Sequence, residues 1–394
     1  MELKKSKPLS SLIFLPLLCL IFIRPFISGL AYPAFEFWYE ILIIFLGILI
    51  IFPIHSKNRA NIYIFPILLL SAAYIISTIT SPNIQNSIKE TLKFISYIAI
   101  FFIVLQTDTE QKKVIIKSIV IAASIISIYS IYQYFWGYQS TMDYLKKIDS
   151  NILQASSYAK DILVDRRTIG TFPSPNILAG YLIMAFFLSL HIFFSARGLF
   201  KIFPAIIILI ALIFTKSLGA WLILISGIAV LFFISYENFK NRKLVIAIYF
   251  ILIIFTLAFI VVNRWERLMN LENPHNSITQ RLNYWRAGIA IIKDHPFLGV
   301  GPGNFQEVFL RYKVGLSTDT RYAHNIFLHL WSETGMLGFI GMLFLITTFI
   351  ARYVSKSKYL FLAGLAFVLH NLIDITYFIP ETGFLWWAII GLIL

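Results

Sequence analysis

Residues 174–235 read SPNILAGYLIMAFFLSLHIFFSARGLFKIFPAIIILIALIFTKSLGAWLILISGIAVLFFIS. Only Arg197, Lys201 and Lys216 carry a formal charge in this stretch, and no residue in it is acidic. Apolar runs fall near 174–195, 199–214 and 218–235. An α-helix needs about 20 apolar residues to cross a hydrocarbon core, and these runs approach that length. Such runs are stable in lipid as helices, because a helix satisfies its own backbone polar groups.

The pattern extends along all 394 residues. The chain is 59% hydrophobic and 13% charged, with mean hydropathy +0.80; a soluble domain carries about 25% charged residues. Further apolar runs lie near 11–30, 36–54, 61–80, 92–106, 114–136, 244–263, 324–351, 359–377 and 381–394. Together they predict an all-α membrane protein of about 12 transmembrane helices, with residues 1–394 forming one integral membrane domain. The first run contains Arg24 and Pro25 and lacks a small-residue cleavage site, so it reads as an uncleaved span. Cys19 is the only cysteine, which excludes an intramolecular disulfide and a cysteine-based metal or redox site. No internal repeat or paired Gly/Pro-broken segment is evident, which weighs against a secondary transporter.

Basic residues set the expected orientation. Lys4, Lys5 and Lys7, Lys57 and Arg59, Lys112 and Lys113, Arg197 and Lys201, Lys240, Arg242 and Lys243, and Arg352, Lys356 and Lys358 all fall on one side if the spans alternate. Short basic loops stay in the cytoplasm, so both termini are expected there. Two longer segments, 137–173 and 264–323, then lie outside. The second is inserted between spans nine and ten. It carries Arg264, Arg267, Arg281, Arg286, Lys293, Arg311, Lys313 and Arg321 against fewer acids. Net charge is +14. Placing basic residues outside runs against the topology rule, and an anionic ligand on that face supplies a reason. In a membrane chain this charge points to lipid and ligand rather than nucleic acid.

The most informative stretch is 278–335. Ile278 to Lys293 reads as a short amphipathic helix, with Leu282, Trp285, Ile289 and Ile292 as its apolar stripe. Arg281 borders that stripe, while Arg286 points about 140° away from it at about 100° per residue. The helix is expected to lie against the membrane with its arginines over the bundle. Asp294-His295-Pro296 ends it, and a glycine-rich turn, Gly299-Val300-Gly301-Pro302-Gly303-Asn304, follows. His324-Asn325 stands at the mouth of span ten. Glu333 is nine residues further on, roughly on the opposite helix face, so it and His324 do not form one acid–base pair. Glu333, His370 and Asp374 are expected to pair within the bundle.

These residues resemble the O-antigen ligase/polymerase superfamily. The resemblance runs from Arg281 and Trp285 through Asp294-His295-Pro296, Gly299 to Phe305, and His324-Asn325, to Leu328 and Glu333-Thr334-Gly335. Arg167 to Gly180 (RTIGTFPSPNILAG) and His370-Asn371-Leu372-Ile373-Asp374 resemble two further family segments. The resemblance implies about 12 spans with a large periplasmic loop between the ninth and tenth. It also implies a polyprenyl-pyrophosphate-linked glycan donor and transfer without a metal or other cofactor. It implies Arg281 on the pyrophosphate and His324 near the acceptor hydroxyl as catalytic residues. Arg286, Arg167, Arg166, Lys216, Arg321, Asn325 and Asn304 are the accompanying substrate-binding candidates. One departure stands out: leucine, Leu218, occupies a position where many ligases carry arginine. Lys216 supplies a charge two residues earlier, without arginine's two-toothed fit to phosphate.

The implied reaction displaces pyrophosphate from an anomeric carbon by a hydroxyl. Fixed cations stabilise the leaving group, and a neutral imidazole takes the hydroxyl proton. The one near-match to a metal-holding Asp-x-Asp motif, Asp108-Thr109-Glu110, falls on the cytoplasmic side. Plainer roles stand beside these: headgroup anchoring for Arg281 and Arg286, solvated loop charges for Arg166 and Arg167, snorkelling for Lys216, and helix capping for His324. The functions compared are a ligase with lipid A-core, glycan or protein acceptors at the bacterial inner membrane, a polymerase of repeat units, a lipid-linked sugar transporter or flippase, and a non-catalytic scaffold.

Overall fold

The computed structural model describes residues 9–51, 61–148, 159–195, 198–235, 276–315, 317–353 and 357–394, with Ile254, Ala258 and Met269 as isolated positions. The expected span at 244–263, and Arg264 and Arg267 after it, otherwise lie outside the described residues. Every described element is helical or irregular, with no strand among the described residues.

The apolar runs form α1 (Ser11–Ile23), α2 (Pro33–Ile51), α3 (Asn61–Ile79), α4 (Ile84–Leu105) and α5 (Thr109–Tyr132). After a π-helical turn at Gln133–Gly137 come α6 (Tyr138–Ile148), α7 (Pro175–Ser195), α8 (Phe203–Phe214) and α9 (Leu218–Ser235). The remainder comprises α10 (Ser277–Asp294), α11 (Phe305–Tyr312), α12 (Ile326–Tyr353), α13 (Lys358–His370) and α14 (Pro380–Ile393). Each predicted run except 244–263 coincides with a helix. Among the described residues, five stretches are long and apolar enough to cross a membrane: Pro33–Ile50, Ile62–Ile79, Thr109–Ile148, Pro175–Ser195 and Ile326–Ala351. Shorter apolar helices, α1, α8, α9, α13 and α14 among them, stand with these.

The last helix is the centre of the bundle. All of α14 from Pro380 to Ile393 is buried, against α4, α7 and α13. In lipid, helices associate through close packing and interhelical hydrogen bonds rather than through expulsion of water. Trp386 and Trp387 fill the space around α14, and the Trp386 indole N–H donates to the Gly364 carbonyl on α13 at 3.2 Å. Around this axis α3 packs on α12, α2 on α4, α13 on α7 and α8 on α5.

The helix ends sort into two sets. At one end, Gly29 N donates to Glu381 Oε1 at 2.6 Å and the Thr171 hydroxyl donates to the Pro25 carbonyl at 2.6 Å. There too, Arg281 Nε donates to the Ile373 carbonyl at 2.7 Å. At the other end, Leu9 N donates to Gln111 Oε1 at 3.0 Å and Lys112 Nζ donates to the Gly391 carbonyl at 3.4 Å. Among the described segments named here, those expected outside share the first end, and those expected inside share the second. Up-and-down alternation of the helices produces this sorting.

Three local expectations change. The run at 92–106 belongs to a longer helix: α4 begins at Ile84, and Lys89, Glu90 and Lys93 in its first half mask it from hydropathy. Lys93 is buried and forms an ion pair with Glu90 one turn earlier.

The second change concerns α10, whose arginines were both expected over the bundle: Arg281 is, but Arg286 is exposed. Leu282 and Ile289 are exposed, while Gln280, Asn283, Tyr284, Ala287, Gly288 and Ile291 are buried. A helix beside lipid turns its polar and small residues toward the protein, the reverse of a helix in water.

Third, α12 is broken at Gly335, where φ is 69° and ψ is −171°. A turn is laid into the break. Val300 N and Gly301 N donate to the Ser332 and Glu333 carbonyls, each at 2.9 Å, and Met336 N donates to the Pro296 carbonyl at 3.0 Å. Non-helical backbone at membrane depth persists where protein groups satisfy it. A Cβ at Gly335 would collide with the Phe297 carbonyl, so glycine is required on both conformational and steric grounds.

Candidate functional site

Helix α10 is started by Asn276, whose side chain accepts from Ile278 N at 2.8 Å and Thr279 N at 3.4 Å. This fixes Arg281 one turn later, on the side facing the turn after α13. Arg281 Nε donates to the Ile373 carbonyl, and its Nη2 donates to Asp374 Oδ2 at 3.2 Å. Its Nη1 donates to the Ser277 carbonyl at 3.4 Å. Guanidinium has five N–H groups, so Arg281 can retain Asp374 and still present donors to an anion. Burial tends to raise the Asp374 carboxyl, but His370, Arg281 and His324 outweigh it and hold Asp374 below the usual carboxylate range.

His324 joins this pair from the neighbouring loop. Its backbone is left-handed, with φ 54°, a conformation rare for a non-glycine residue. The ring stacks on Tyr284 of α10 at 5.3 Å, and the Trp285 indole N–H donates to its carbonyl at 3.4 Å. Nδ1 is buried with no hydrogen-bond partner. Burial pushes the imidazole down to about 4; Arg281 and His329 act in the same direction and Asp374 opposes them. The ring is therefore neutral at physiological pH, as a proton acceptor must be.

Asn325 caps α12: its Oδ1 accepts from Phe327 N and Leu328 N, each at 3.0 Å, and its Nδ2 donates to the Leu372 carbonyl at 2.9 Å. That cap ties the His324 loop to the turn that holds Asp374. Asn304 is fully buried and braces the glycine-rich turn against the α3–α4 connection, donating to Ser81 Oγ at 2.6 Å and Ser87 Oγ at 2.9 Å. Arg286 is exposed on the outer side of α10, away from His324.

The remaining basic candidates form a second group. Arg167 donates to Asp161 Oδ2 at 2.6 Å, to Asn176 Oδ1 at 2.9 Å and to the Thr215 carbonyl at 3.1 Å. Arg166 reaches Gln139 Oε1 at 3.3 Å. Lys216 donates to the Asp165 carbonyl at 2.7 Å and lies 5.9 Å from the centre of the Tyr134 ring. Arg166 and Lys216 both have positive φ, 48° and 50°. The group adjoins the first through Gly219, where a Cβ would stand 2.7 Å from Ile373 Cδ1. Ile373 is the residue whose carbonyl holds Arg281.

A cavity of about 650 Å³ opens at the same end on the other side of the 321–325 loop. Arg321 and Tyr322 line it, together with Glu36, Glu40, Lys89, Glu90, Lys93, His329 and Glu333. His329 Nε2 lies 3.3 Å from Glu333 Oε2, and Glu333 Oε1 accepts from Phe305 N at 3.0 Å. Glu333 thus pairs with His329, not with His324. Apart from Arg321, these side chains were not singled out as ligand-binding by sequence reasoning. The visible signal was the cluster Lys89, Glu90 and Lys93 interrupting an apolar run. Among the described residues, no three His, Cys, Asp or Glu side chains gather as metal ligands.

The fold and the site together define an integral membrane protein whose basic and histidine side chains converge at one end of a helical bundle. Residues 203–343 match the family model described as O-antigen ligase, which bears out the resemblance to the O-antigen ligase/polymerase superfamily. The matched stretch includes Lys216, Arg281, Arg286, Asn304, Arg321, His324 and Asn325. A similar curated protein, an uncharacterized protein of Haemophilus influenzae (strain ATCC 51907 / DSM 11121 / KW20 / Rd), is 25% identical over 203 residues. The alignment covers 46% of this chain and 50% of the relative, so the chain spans about half the length of the curated relative it matches.

Proposed function

We propose that this chain is a ligase-type glycosyltransferase of the bacterial inner membrane, with about 12 spans, cytoplasmic termini and its site on the periplasmic face. Its donor is a glycan on a polyprenyl-pyrophosphate carrier, and its acceptor is a sugar hydroxyl such as one on lipid A-core. The observation that carries this reading is the neutral, partly buried His324 held beside the Arg281–Asp374 pair.

In the reaction, the acceptor oxygen forms a bond to the anomeric carbon. The bond from that carbon to the pyrophosphate oxygen breaks, and the pyrophosphate leaves with the electron pair. His324 takes the hydroxyl proton. Arg281 faces the departing charge, with Arg166, Lys216 and Arg286 as further cations at the same end. A charge-assisted hydrogen bond contributes about 1.5–3 kcal/mol, so two of them supply several powers of ten in rate. Asp374 orients Arg281 and balances its charge while no donor is bound.

The test is glycan transfer in a strain lacking its own ligase, expressing the unaltered protein or His324→Ala at matched membrane levels. Glycan appearing on lipid A-core only with the unaltered protein supports the reading. Equal transfer by both forms overturns the role of His324. Carrier-linked repeats that lengthen, with none reaching lipid A-core, convert the assignment to a polymerase of the same superfamily. Lipid-linked sugar that crosses the membrane without forming a new glycosidic bond converts it to a transporter.

A further inference from the structure

The cavity between α2, α4 and the 321–325 loop is not part of the arginine–histidine cluster, and its chemistry differs. Four carboxylates line it, Glu36, Glu40, Glu90 and Glu333, against three cations, Lys89, Lys93 and Arg321. Two of the cations are already engaged. Lys93 bonds to Glu90 and donates to the Phe378 carbonyl at 2.9 Å, and Arg321 donates to Gln306 Oε1 at 3.2 Å. The acids are engaged as well, Glu36 with Arg24, Glu90 with Lys93 and Glu333 with His329, so the wall is close to charge balance and offers pyrophosphate no surplus of positive charge. The donor's anionic group is thus directed to Arg281 and away from the cavity.

What the cavity does offer suits a sugar. Carboxylates accept hydrogen bonds from hydroxyls, while Lys89, Gln306 and Asn86 on the same wall donate them. Phe37, Tyr322 and Phe378 supply apolar faces for C–H surfaces. The volume falls within the range of about 300–1,000 Å³ typical of small-molecule sites. The wall also runs directly to the proposed base. Tyr322 lines the cavity, Ala323 N donates to His329 Nδ1 at 3.4 Å, and His324 is the next residue.

We infer that this cavity is a saccharide-binding subsite that receives a phosphate-free sugar unit at the acceptor end of the reaction. The inference rests on the transferase reading above for the word acceptor, and on the cavity's own chemistry for the word saccharide. Charge then sorts the two substrates before any chemistry occurs: the phosphorylated donor goes to the basic side of the 321–325 loop, and the uncharged sugar goes to the side whose charges are already paired.

The test uses the full-length protein in lipid nanodiscs and two probes measured by equilibrium binding. One probe is the dephosphorylated outer-core oligosaccharide of a rough lipopolysaccharide; the other is inorganic pyrophosphate. Ala34 is exposed at the rim, so Ala34→Trp fills the mouth without removing a bond, and Ala34→Ser controls for folding. Glu40→Gln replaces one wall carboxyl group with an amide. Oligosaccharide binding is expected to weaken by about tenfold or more in Ala34→Trp and in Glu40→Gln and to persist in Ala34→Ser and Arg281→Ala. Pyrophosphate binding is expected to show the opposite dependence. No oligosaccharide binding to the unaltered protein, equal binding to Ala34→Trp and Glu40→Gln, or joint loss of both probes in Arg281→Ala overturns the inference. The expected binding pattern with no glycan transfer by any form sustains the saccharide site and removes the transferase reading.

Discussion

The two sides of the 321–325 loop, built at one end of the same bundle, differ in charge: one presents cations around a single acid, the other a wall whose acids and bases are paired. On one side, Arg281 and His324 stand over a single buried carboxylate, Asp374. On the other, four glutamates and three cations surround a cavity. The first side comes mainly from one contiguous block of chain, and the second from the N-terminal ends of α2 and α4 together with three loops. On the proposed reading, the difference separates two tasks. A leaving pyrophosphate needs fixed positive charge next to a proton acceptor, whereas a sugar needs acceptors and donors in balance.

The largest expected effect falls on the basic side. His324→Ala should lower transfer by about 10²–10⁴-fold with membrane levels unchanged, as measured by glycan transfer in washed membranes. An effect below about tenfold would break the division, because the cavity side would then hold the base. The pH profile of the unaltered enzyme sharpens the point. Protonation abolishes the base, so activity is lost as pH falls through the imidazole pKa. With His324 pushed down to about 4, transfer should hold steady from neutrality to about pH 5 and halve near pH 4. An ordinary histidine would lose half near about pH 6.5, so a midpoint there refutes the buried, neutral state.

Arg281 comes next. Arg281→Ala removes a charge-assisted contact of about 1.5–3 kcal/mol, equivalent to roughly 10- to 150-fold in transfer. The double variant Arg281→Ala/Asp374→Asn tells ligand contact from charge balance. If Arg281 only neutralises Asp374, the double variant should regain activity; if it holds pyrophosphate, transfer stays low while stability recovers. The smallest effect on chemistry is expected from Arg167→Ala, which leaves Asp161 and the Thr215 carbonyl without their partner. Stability should fall by about 1–3 kcal/mol in a detergent thermal melt, with transfer per folded molecule within about threefold of the original. A loss of transfer matching that of Arg281→Ala would merge the two basic groups into one site.

The basic side was legible because its residues sit together in one motif-bearing stretch: Arg281, Asn304, His324 and Asn325 all lie within it. The apolar helices were legible because hydrophobic length is a local property. Other features were hidden for physical reasons. The placement of α10 was legible in part: Leu282 and Ile289 do face away from the bundle and Arg281 does reach it, but Arg286, expected beside it, is exposed, and the bundle-facing side is Asn283, Ala287 and Gly288. The first half of α4 was missed because Lys89, Glu90 and Lys93 interrupt the apolar run, although they face a cavity. The cavity itself joins residues near positions 36, 90, 321 and 378, and no one-dimensional window brings these together. Asp374 was expected to pair within the bundle; its partner, Arg281, lies 93 residues away in the chain.

The broken helix α12 has a consequence for how this protein can be rebuilt. The turn at 296–301 is seated in the break at Gly335, and the two segments complete each other's backbone hydrogen bonds. The segment that carries this turn is therefore not a detachable module. Grafting residues 276–325 from a relative whose turn does not seat in this break would leave the Ser332 carbonyl bare and the Glu333 carbonyl with the Ser77 hydroxyl alone, unless the upper half of α12 moved with them. Exchanges meant to retarget the enzyme have to take loop and half-helix as one cassette.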